Sequence, residues 1–202
     1  MDDAWLIALA ESPLLYPALF LLVVGDAFLV VLPSETAVVT LGALWASTGH
    51  PHVALVVAVA ALGAVAGDTA CFFIGRHIGL DRWAWQKRGR IGVAIDRVRS
   101  TILQRTAVLI FTARYIPFAR IAVNLTAGAS GVAPRRFIPL SSVAGLSWAL
   151  YNVAVGSLFG AMMPDTPLLA IVCSIAVAMI LGFLVDSLIR VSARRHGESS
   201  PS

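Results

Sequence analysis

Apolar stretches, separated by short polar segments, make up most of this chain. A helix needs about 20 mostly apolar residues to cross a bilayer. Residues 53–79 and 137–163 each fit one crossing, and residues 168–189 predict a third. The stretches 14–47 and 106–132 differ because prolines and paired charges interrupt them. Such interruptions predict broken helices rather than plain spans.

Basic residues indicate how the chain is threaded. Seven of the fifteen lie between Arg82 and Arg105, and none precedes Arg76. Cytoplasmic loops are enriched in Lys and Arg, so segment 81–105 is expected to be an amphipathic segment on the cytoplasmic membrane surface, and the basic tail 190–202 to be cytoplasmic. Stretch 106–132 then begins and ends on the cytoplasmic side, which predicts a re-entrant hairpin.

The same reasoning predicts that stretch 14–47 is re-entrant from the opposite face. The predicted fold is therefore an all-α polytopic membrane protein, with an inverted repeat of re-entrant hairpin plus transmembrane helix and an extra C-terminal transmembrane helix. Residues 1–189 form its single integral membrane domain. Many secondary transporters are built from such repeats. Five or six plain kinked helices with unusual loops remain an alternative, because hydropathy does not separate a hairpin from two short spans.

Composition excludes several classes of function. Hydrophobic residues make up 58% of the 202 residues and charged residues 13%, unlike a soluble enzyme. The two cysteines, Cys71 and Cys173, lie in apolar runs and give no disulfide or metal framework. No nucleophile elbow, zinc motif or phosphate loop is present, so we expect no catalysis, no metal and no cofactor. Nucleic acid is not an expected partner.

Four charged residues within the broken stretches are the candidate functional site. They are Asp26, Glu35, Arg114 and Arg120. A charge at the bilayer centre costs about 3 kcal/mol, so each needs a partner. Pro33 and Pro117 lie between the members of each pair and break the helix, which lets both charges point inward. Two acids then face two bases, with a formal sum of zero.

Two interpretations of this cluster stay open. The charges are either structural salt bridges or a binding site for an anion. Arg120 follows Pro117 at the start of a half-helix, where a cation opposes the helix dipole and an anion would resolve the conflict. Forked donors from Arg114 and Arg120 suit a phosphate or carboxylate. If an anion takes both, Asp26 and Glu35 lose their countercharge and proton uptake becomes favourable.

Three secondary residues complete the candidate site. Asp68 lies among small residues and is either a third titrating group or an interhelical hydrogen-bond acceptor. Arg76 is expected near the cytoplasmic interface, where its side chain reaches towards water. Asn124 is expected to hydrogen-bond across helices or to line the site.

Together these segments resemble the DedA family of bacterial membrane proteins, also described as the VTT or SNARE-associated domain. The resemblance spans about residues 26–156 and rests on Asp26 with Leu32-Pro33-Ser34-Glu35, Gly67-Asp68 with Phe73-Ile74-Gly75-Arg76, Arg114-Tyr115-Ile116-Pro117-Phe118-Ala119-Arg120, and Ala127-Gly128 with Phe137. Two departures are that the family's frequent Pro-Gly-Glu is Pro-Ser-Glu here, and that the first acid is Asp rather than Glu.

The resemblance implies a lipid translocase in the bacterial plasma (inner) membrane, multi-pass with a cytoplasmic C-terminus. Its expected cargo is a polyprenyl phosphate, undecaprenyl phosphate above all, moved with the help of the proton-motive force. By this resemblance Arg114 and Arg120 bind the phosphate, and Asp26 and Glu35 carry or sense protons. Membrane lipids and protons are then the partners, and a homo-oligomer is left open.

The same residues are compatible with competing functions. A phospholipid flippase or scramblase of phosphatidylethanolamine type, or a proton-coupled small-ion transporter, would use the same charges. A membrane lipid phosphatase would also need a nucleophile or general base in reach. A scaffold that uses the basic segment would tolerate loss of every charge in the membrane.

Overall fold

Every regular element that the structure describes is an α-helix. The structure is a computed structural model and describes residues 12–29, 33–79, 89–114, 117–162 and 176. Its helices are α1 (Leu15–Asp26), α2 (Ser34–Thr48), α3 (Val53–Ile78), α4 (Gly89–Ala113), α5 (Pro117–Ala129) and α6 (Pro134–Met162). Apart from residue 176, the predicted span 168–189 lies outside the described residues, as do the tail 190–202 and the start of the amphipathic segment.

Helices α3 and α6 are the candidate membrane spans among the described residues. They have 26 and 29 residues, and both are apolar over at least 18 consecutive positions. At 1.5 Å per residue they measure about 39 Å and about 44 Å, more than the roughly 30 Å of a hydrocarbon core. α3 ends before Gly79, whose φ of 70° suits glycine alone. α6 begins with a proline, a residue preferred at the first helical position.

Both stretches predicted to be re-entrant are broken into two helices. In the first, α1 ends at Asp26 and α2 begins after Pro33. In the second, α4 ends at Ala113 and α5 begins with Pro117. The helices α1, α2 and α5 have 12, 15 and 13 residues, too few for any of them to cross a bilayer alone.

Helix α4 also contains a kink. The backbone leaves helical geometry at Arg105, with φ of −117° and ψ of 26°. This residue is the last of the segment predicted to be interfacial and directly precedes the second broken stretch. The kink therefore separates the polar first part of α4 from its apolar end.

The core consists of two apolar clusters. One lies against the first half of α3 and the second half of α6, and the other lies against the second half of α3 and the first half of α6. In the first cluster α1 and α2 pack against α3 and α6 through Leu19, Val23, Val38, Leu41, Val56, Ala60, Ala64, Trp148, Ala149 and Val153. In the second cluster α4 and α5 do so through Phe72, Ile102, Ile110, Ala127, Val132, Phe137 and Ala144. Along α3 the buried positions 60, 64, 68 and 72 follow at intervals of four, one face of a helix. Asp68 is thus placed between the two clusters.

Each short outgoing helix is held against one long helix by close glycine contacts. A Cβ at Gly156 of α6 would overlap the backbone carbonyl of Val39 in α2. In the same way, a Cβ at Gly75 of α3 would overlap the carbonyl of Leu125 in α5. α2 therefore packs on α6, α5 packs on α3, and the two long helices contact each other.

Candidate functional site

Asp68 is the centre of a buried polar cluster at the boundary of the two apolar clusters. Its Oδ2 atom accepts hydrogen bonds from Nη1 of Arg114 at 2.7 Å and from the Ser141 hydroxyl at 2.9 Å. Its Oδ1 atom accepts one from Nδ2 of Asn124 at 2.9 Å and lies 3.6 Å from Nε of Arg120. One carboxylate thus joins α3 to the second break, to α5 and to α6.

Arg120 links this buried acid to a second acid. Its Nη1 atom lies 3.2 Å from Oδ2 of Asp26, at the end of α1. The guanidinium therefore bridges Asp26 and Asp68, and the two acids balance the charges of Arg114 and Arg120. Because burying an unpaired charge costs several kcal/mol, this balance makes the cluster compatible with a low-dielectric site.

Trp148 connects the cluster to Glu35. It is the central residue of α6, and its ring lies 5.5 Å from Cζ of Arg114, within the range of a cation–π interaction. Its indole N–H donates to Oε1 of Glu35 at 3.5 Å, a long hydrogen bond. Trp148 itself is buried, whereas Glu35 is exposed.

The structure brings together three of the four charges singled out from the sequence: Asp26, Arg114 and Arg120. Glu35 is not part of the cluster, because within the described residues no ion pair joins it to either arginine. The reason is the rotation of α2 about its axis. Ser34, one position earlier, faces the core and is buried, and a step of about 100° then turns Glu35 outward.

The secondary residues divide between the site and the surface. Asp68 accepts hydrogen bonds from other helices, one of its two expected roles, and it also pairs with both arginines. Asn124 makes the hydrogen bond across helices that was one of its two expected roles. Arg76 lies apart at the end of α3, where it is exposed and donates through Nη1 to the carbonyl of Val132 at 3.1 Å.

Sequence reasoning missed Ser141 and Trp148. Both lie on one face of α6, seven residues apart, which is close to two helical turns. That spacing is visible in the sequence, but it becomes informative only when Asp68 is known to face α6. A stronger indication in the sequence is Asp68 itself, because a single acid in the middle of an apolar helix requires a hydrogen-bond donor from another helix.

The arrangement suits reversible binding of an anion. Nη2 of Arg120 is buried and has no hydrogen-bond partner among the described residues. Guanidinium groups at such a site bind carboxylate or phosphate oxygens through charge-assisted hydrogen bonds. In the described part of the chain, no three His, Cys, Asp or Glu side chains are grouped so that they could bind a metal ion.

Comparison with known proteins identifies the family. The VTT domain model matches residues 32–158, more than half of the chain and the region that contains most of the cluster. The chain belongs to the VTT domain family. This confirms the DedA-family resemblance, and with the two candidate spans it makes the protein a helical membrane protein of that family.

Several proteins are similar to this chain over about two thirds of their length or more. An alkaline phosphatase-like protein of Lactococcus lactis is 25% identical over 181 residues, covering 80% of this chain and 84% of its own. An uncharacterized membrane protein of Mycobacterium tuberculosis is 30% identical and covers 66% of each chain. The inner membrane protein YohD of Escherichia coli is 28% identical over 65% of this chain and 69% of its own. No solved structure matches the chain.

Proposed function

We propose that this VTT-family protein moves a phosphate-bearing lipid between the two leaflets of the bacterial inner membrane, with undecaprenyl phosphate as the cargo. Arg114 and Arg120 bind the phosphate while the hydrocarbon tail stays in the bilayer. Membership of a family of membrane proteins supports a transport role. The phosphate itself is proposed from the chemistry of the buried arginines.

A single observation carries the proposal. Arg120 is buried and ion-paired to Asp26, yet its Nη2 atom has no hydrogen-bond partner in the described part of the chain. A buried donor left unsatisfied costs about 1–3 kcal/mol, more when it is charged. A phosphate oxygen supplies the missing acceptor, so cargo binding recovers this free energy.

An inverted repeat would give the site access to both leaflets. The packing supports this arrangement because each broken stretch sends its outgoing helix onto the long helix of the other half. α2 packs on α6 and α5 packs on α3, with a glycine at each crossing. Broken helices that meet near the membrane centre are how many secondary transporters alternate access.

Protons complete the proposed cycle. Arrival of an anion at Arg120 removes the countercharge of Asp26, and a proton on Asp26 offsets that loss. Glu35, exposed beside the cluster, is the group through which protons reach it. Transport would then depend on the proton-motive force, in a multi-pass protein whose C-terminus is cytoplasmic.

The test is leaflet exchange in liposomes. Purified protein is reconstituted with labelled undecaprenyl phosphate, or with labelled phosphatidylethanolamine as the alternative cargo, and exchange is followed with and without a pH gradient. We expect faster exchange of undecaprenyl phosphate, and its loss in Arg114→Gln and Arg120→Gln. Arg135→Gln is the matched control, since Arg135 is an exposed arginine outside the cluster. Unchanged exchange in both cluster variants would refute the proposal.

The name of the Lactococcus relatives, alkaline phosphatase-like, favours one other candidate, a lipid phosphatase. The same arginines would then hold the phosphate while its ester bond is hydrolysed. We propose carriage rather than hydrolysis, because the histidines among the described residues, His50, His52 and His77, are exposed and lie outside the cluster, so that none of them is placed there as a general base. Release of inorganic phosphate from undecaprenyl phosphate by the purified protein would favour the enzyme.

A further inference from the structure

The buried cluster comes nearest to the molecular surface at Asp26. The side chains of Arg114 and Asp68 are each 2% exposed, that of Arg120 is 10% exposed and that of Asp26 is 15% exposed. Exposure thus increases from the centre of the cluster towards the first helix break. A ligand that enters without unfolding the protein reaches Arg120 from the Asp26 side.

Two buried polar atoms beside Asp26 have unused hydrogen-bonding capacity. Nη2 of Arg120 and Oγ of Ser34 have no hydrogen-bond partner among the described residues. Ser34 is 1% exposed, and its hydroxyl lies near the Asp26 carboxylate without meeting hydrogen-bond geometry. The carboxylate pairs with Arg120 through Nη1 at 3.2 Å and leaves Nη2 of Arg120 and the Ser34 hydroxyl without a hydrogen bond in the described part of the chain.

A phosphate monoester fits this place better than the carboxylate does. It has three terminal oxygens rather than two and carries up to two negative charges, so one group can bind the guanidinium and the hydroxyl together. Ser34 is also the first residue of α2, where backbone N–H groups precede the first helical hydrogen bond, from Ala37 to Pro33. A helix start of this kind favours an anion.

We infer that a phosphate monoester binds between Arg120 and Ser34 at the start of α2, where it replaces the Asp26 carboxylate. Asp26 is then a competing anion that occupies the phosphate site in the absence of cargo. Asp68 stays paired with Nη1 of Arg114 and positions that arginine beside the headgroup. This inference rests on the proposed function and names the headgroup site within it.

Ser34, unlike Asp26 and Arg120, is uncharged. Its hydroxyl can donate to a headgroup without changing the charge of the site. The serine therefore adds one hydrogen bond to a headgroup at this site. Its effect on affinity should be separable from that of the arginine.

A lipid headgroup is favoured over free phosphate by the residues that follow Asp26. Phe28 and Leu29, in the first break, are 43% and 61% exposed. Both are apolar, and they lie next to the most open member of the cluster. A hydrocarbon tail attached to the phosphate would contact them, whereas inorganic phosphate would gain nothing from them.

The experiment measures binding without transport. Farnesyl phosphate and inorganic phosphate are titrated calorimetrically into the purified full-length protein in uncharged detergent micelles. The variants are Asp26→Asn, Ser34→Ala and the control Ser130→Ala. Ser130 also has a buried hydroxyl without a hydrogen-bond partner among the described residues, but it lies beyond the end of α5. Thermal unfolding of each variant shows that it is folded.

We expect Asp26→Asn to bind farnesyl phosphate about tenfold more tightly, since the competing charge is gone. Ser34→Ala should bind it about fivefold more weakly, and Ser130→Ala should match the unmodified protein. Inorganic phosphate should bind at least about tenfold more weakly than farnesyl phosphate.

Weaker or unchanged binding by Asp26→Asn, or equal binding by the two serine variants, overturns the inference. Equal affinity for both ligands overturns the lipid part of it. These results are distinct from failure of the proposed function. Headgroup binding as expected with no leaflet exchange in liposomes would reject transport alone, whereas exchange with an unaffected Ser34→Ala variant would reject only this site.

Discussion

The two helix breaks resemble each other in sequence but differ in burial. Each has a proline where the outgoing helix starts, and each is flanked by two charges of one sign. At the second break Arg114 and Arg120 are 4% and 8% exposed. At the first break Asp26 is more open than either arginine, and Glu35 is exposed.

The difference originates outside both breaks, in α3. Asp68 pairs with both arginines of the second break, and the described residues hold no comparable base on α6 for the acids of the first. The second break is therefore held in place by Asp68 of α3, which also bonds to Asn124 of α5 and Ser141 of α6. The acidic break is connected to the cluster through one ion pair and one long hydrogen bond. The charged cluster therefore holds the first break through fewer contacts than the second.

The largest effect that would test this contrast is expected from Asp68→Asn. It removes the carboxylate charge that the buried guanidinium groups of Arg114 and Arg120 share. Breaking a buried ion pair in this way costs about 3–5 kcal/mol. Thermal unfolding in detergent should show a much lower midpoint than for Asp26→Asn. Equal midpoints for the two variants would mean that the second break is not the more firmly held.

A second test asks whether the outgoing helices are packed equally well at both breaks. Gly156→Ala forces a methyl group into the Val39 carbonyl of α2, and Gly75→Ala forces one into the Leu125 carbonyl of α5. Each should destabilise the protein by about 3 kcal/mol, because backbone atoms cannot move aside easily.

Gly145→Ala, on the same helix as Gly156, is the control. Its Cβ would come no closer than 3.4 Å to Ala61, so the unfolding midpoint should stay close to that of the unmodified protein. A large loss for Gly75→Ala with none for Gly156→Ala would show that the breaks differ in packing and not only in charge.

A smaller effect is expected from Ser141→Ala. The hydroxyl of Ser141 donates to the buried Asp68 carboxylate at 2.9 Å, and its loss should cost about 1.5 kcal/mol. The neighbouring hydroxyl of Ser142 donates to the carbonyl of Ile138 in its own helix. Ser142→Ala should therefore change unfolding little, and equal losses in the two variants would contradict the role given to Ser141.

The smallest effect on stability is expected from Glu35→Gln. Glu35 is exposed and has one long hydrogen bond, so the free energy of unfolding should change by less than about 0.5 kcal/mol. Leaflet exchange in liposomes should nevertheless become insensitive to a pH gradient if this acid passes protons to the site. A variant that keeps the full response to the gradient would remove Glu35 from the proposed cycle.

Helix limits were largely predictable because chain-breaking residues define them. The predicted span 53–79 matches α3 to within one residue, since Pro51 precedes it and Gly79 ends it. Pro33 and Pro117 likewise marked the starts of α2 and α5. The kink at Arg105 coincides with the change from polar to apolar sequence.

The composition of the charged cluster was only partly predictable. Charge balance led to Asp26, Arg114 and Arg120. Which acid pairs with which arginine, however, depends on the face of each helix that turns inward. The close contact at Gly156 helps to set the rotation of α2, and that rotation buries Ser34 and exposes Glu35. The sequence of α2 does not reveal this rotation. The pairing of the arginines with Asp68, and not with Glu35, therefore could not be predicted from the sequence.

The position of Asp68 has a consequence for how the protein is made. Its partner Arg114 follows 46 residues later in the chain. At about 5–20 residues per second, a ribosome needs about 2–9 s to synthesise that interval. During this time α3 carries a lone carboxylate that costs about 3 kcal/mol in lipid. During this interval the apolar residues of α3 alone offset the cost of its carboxylate, and the arrival of the second half removes that cost.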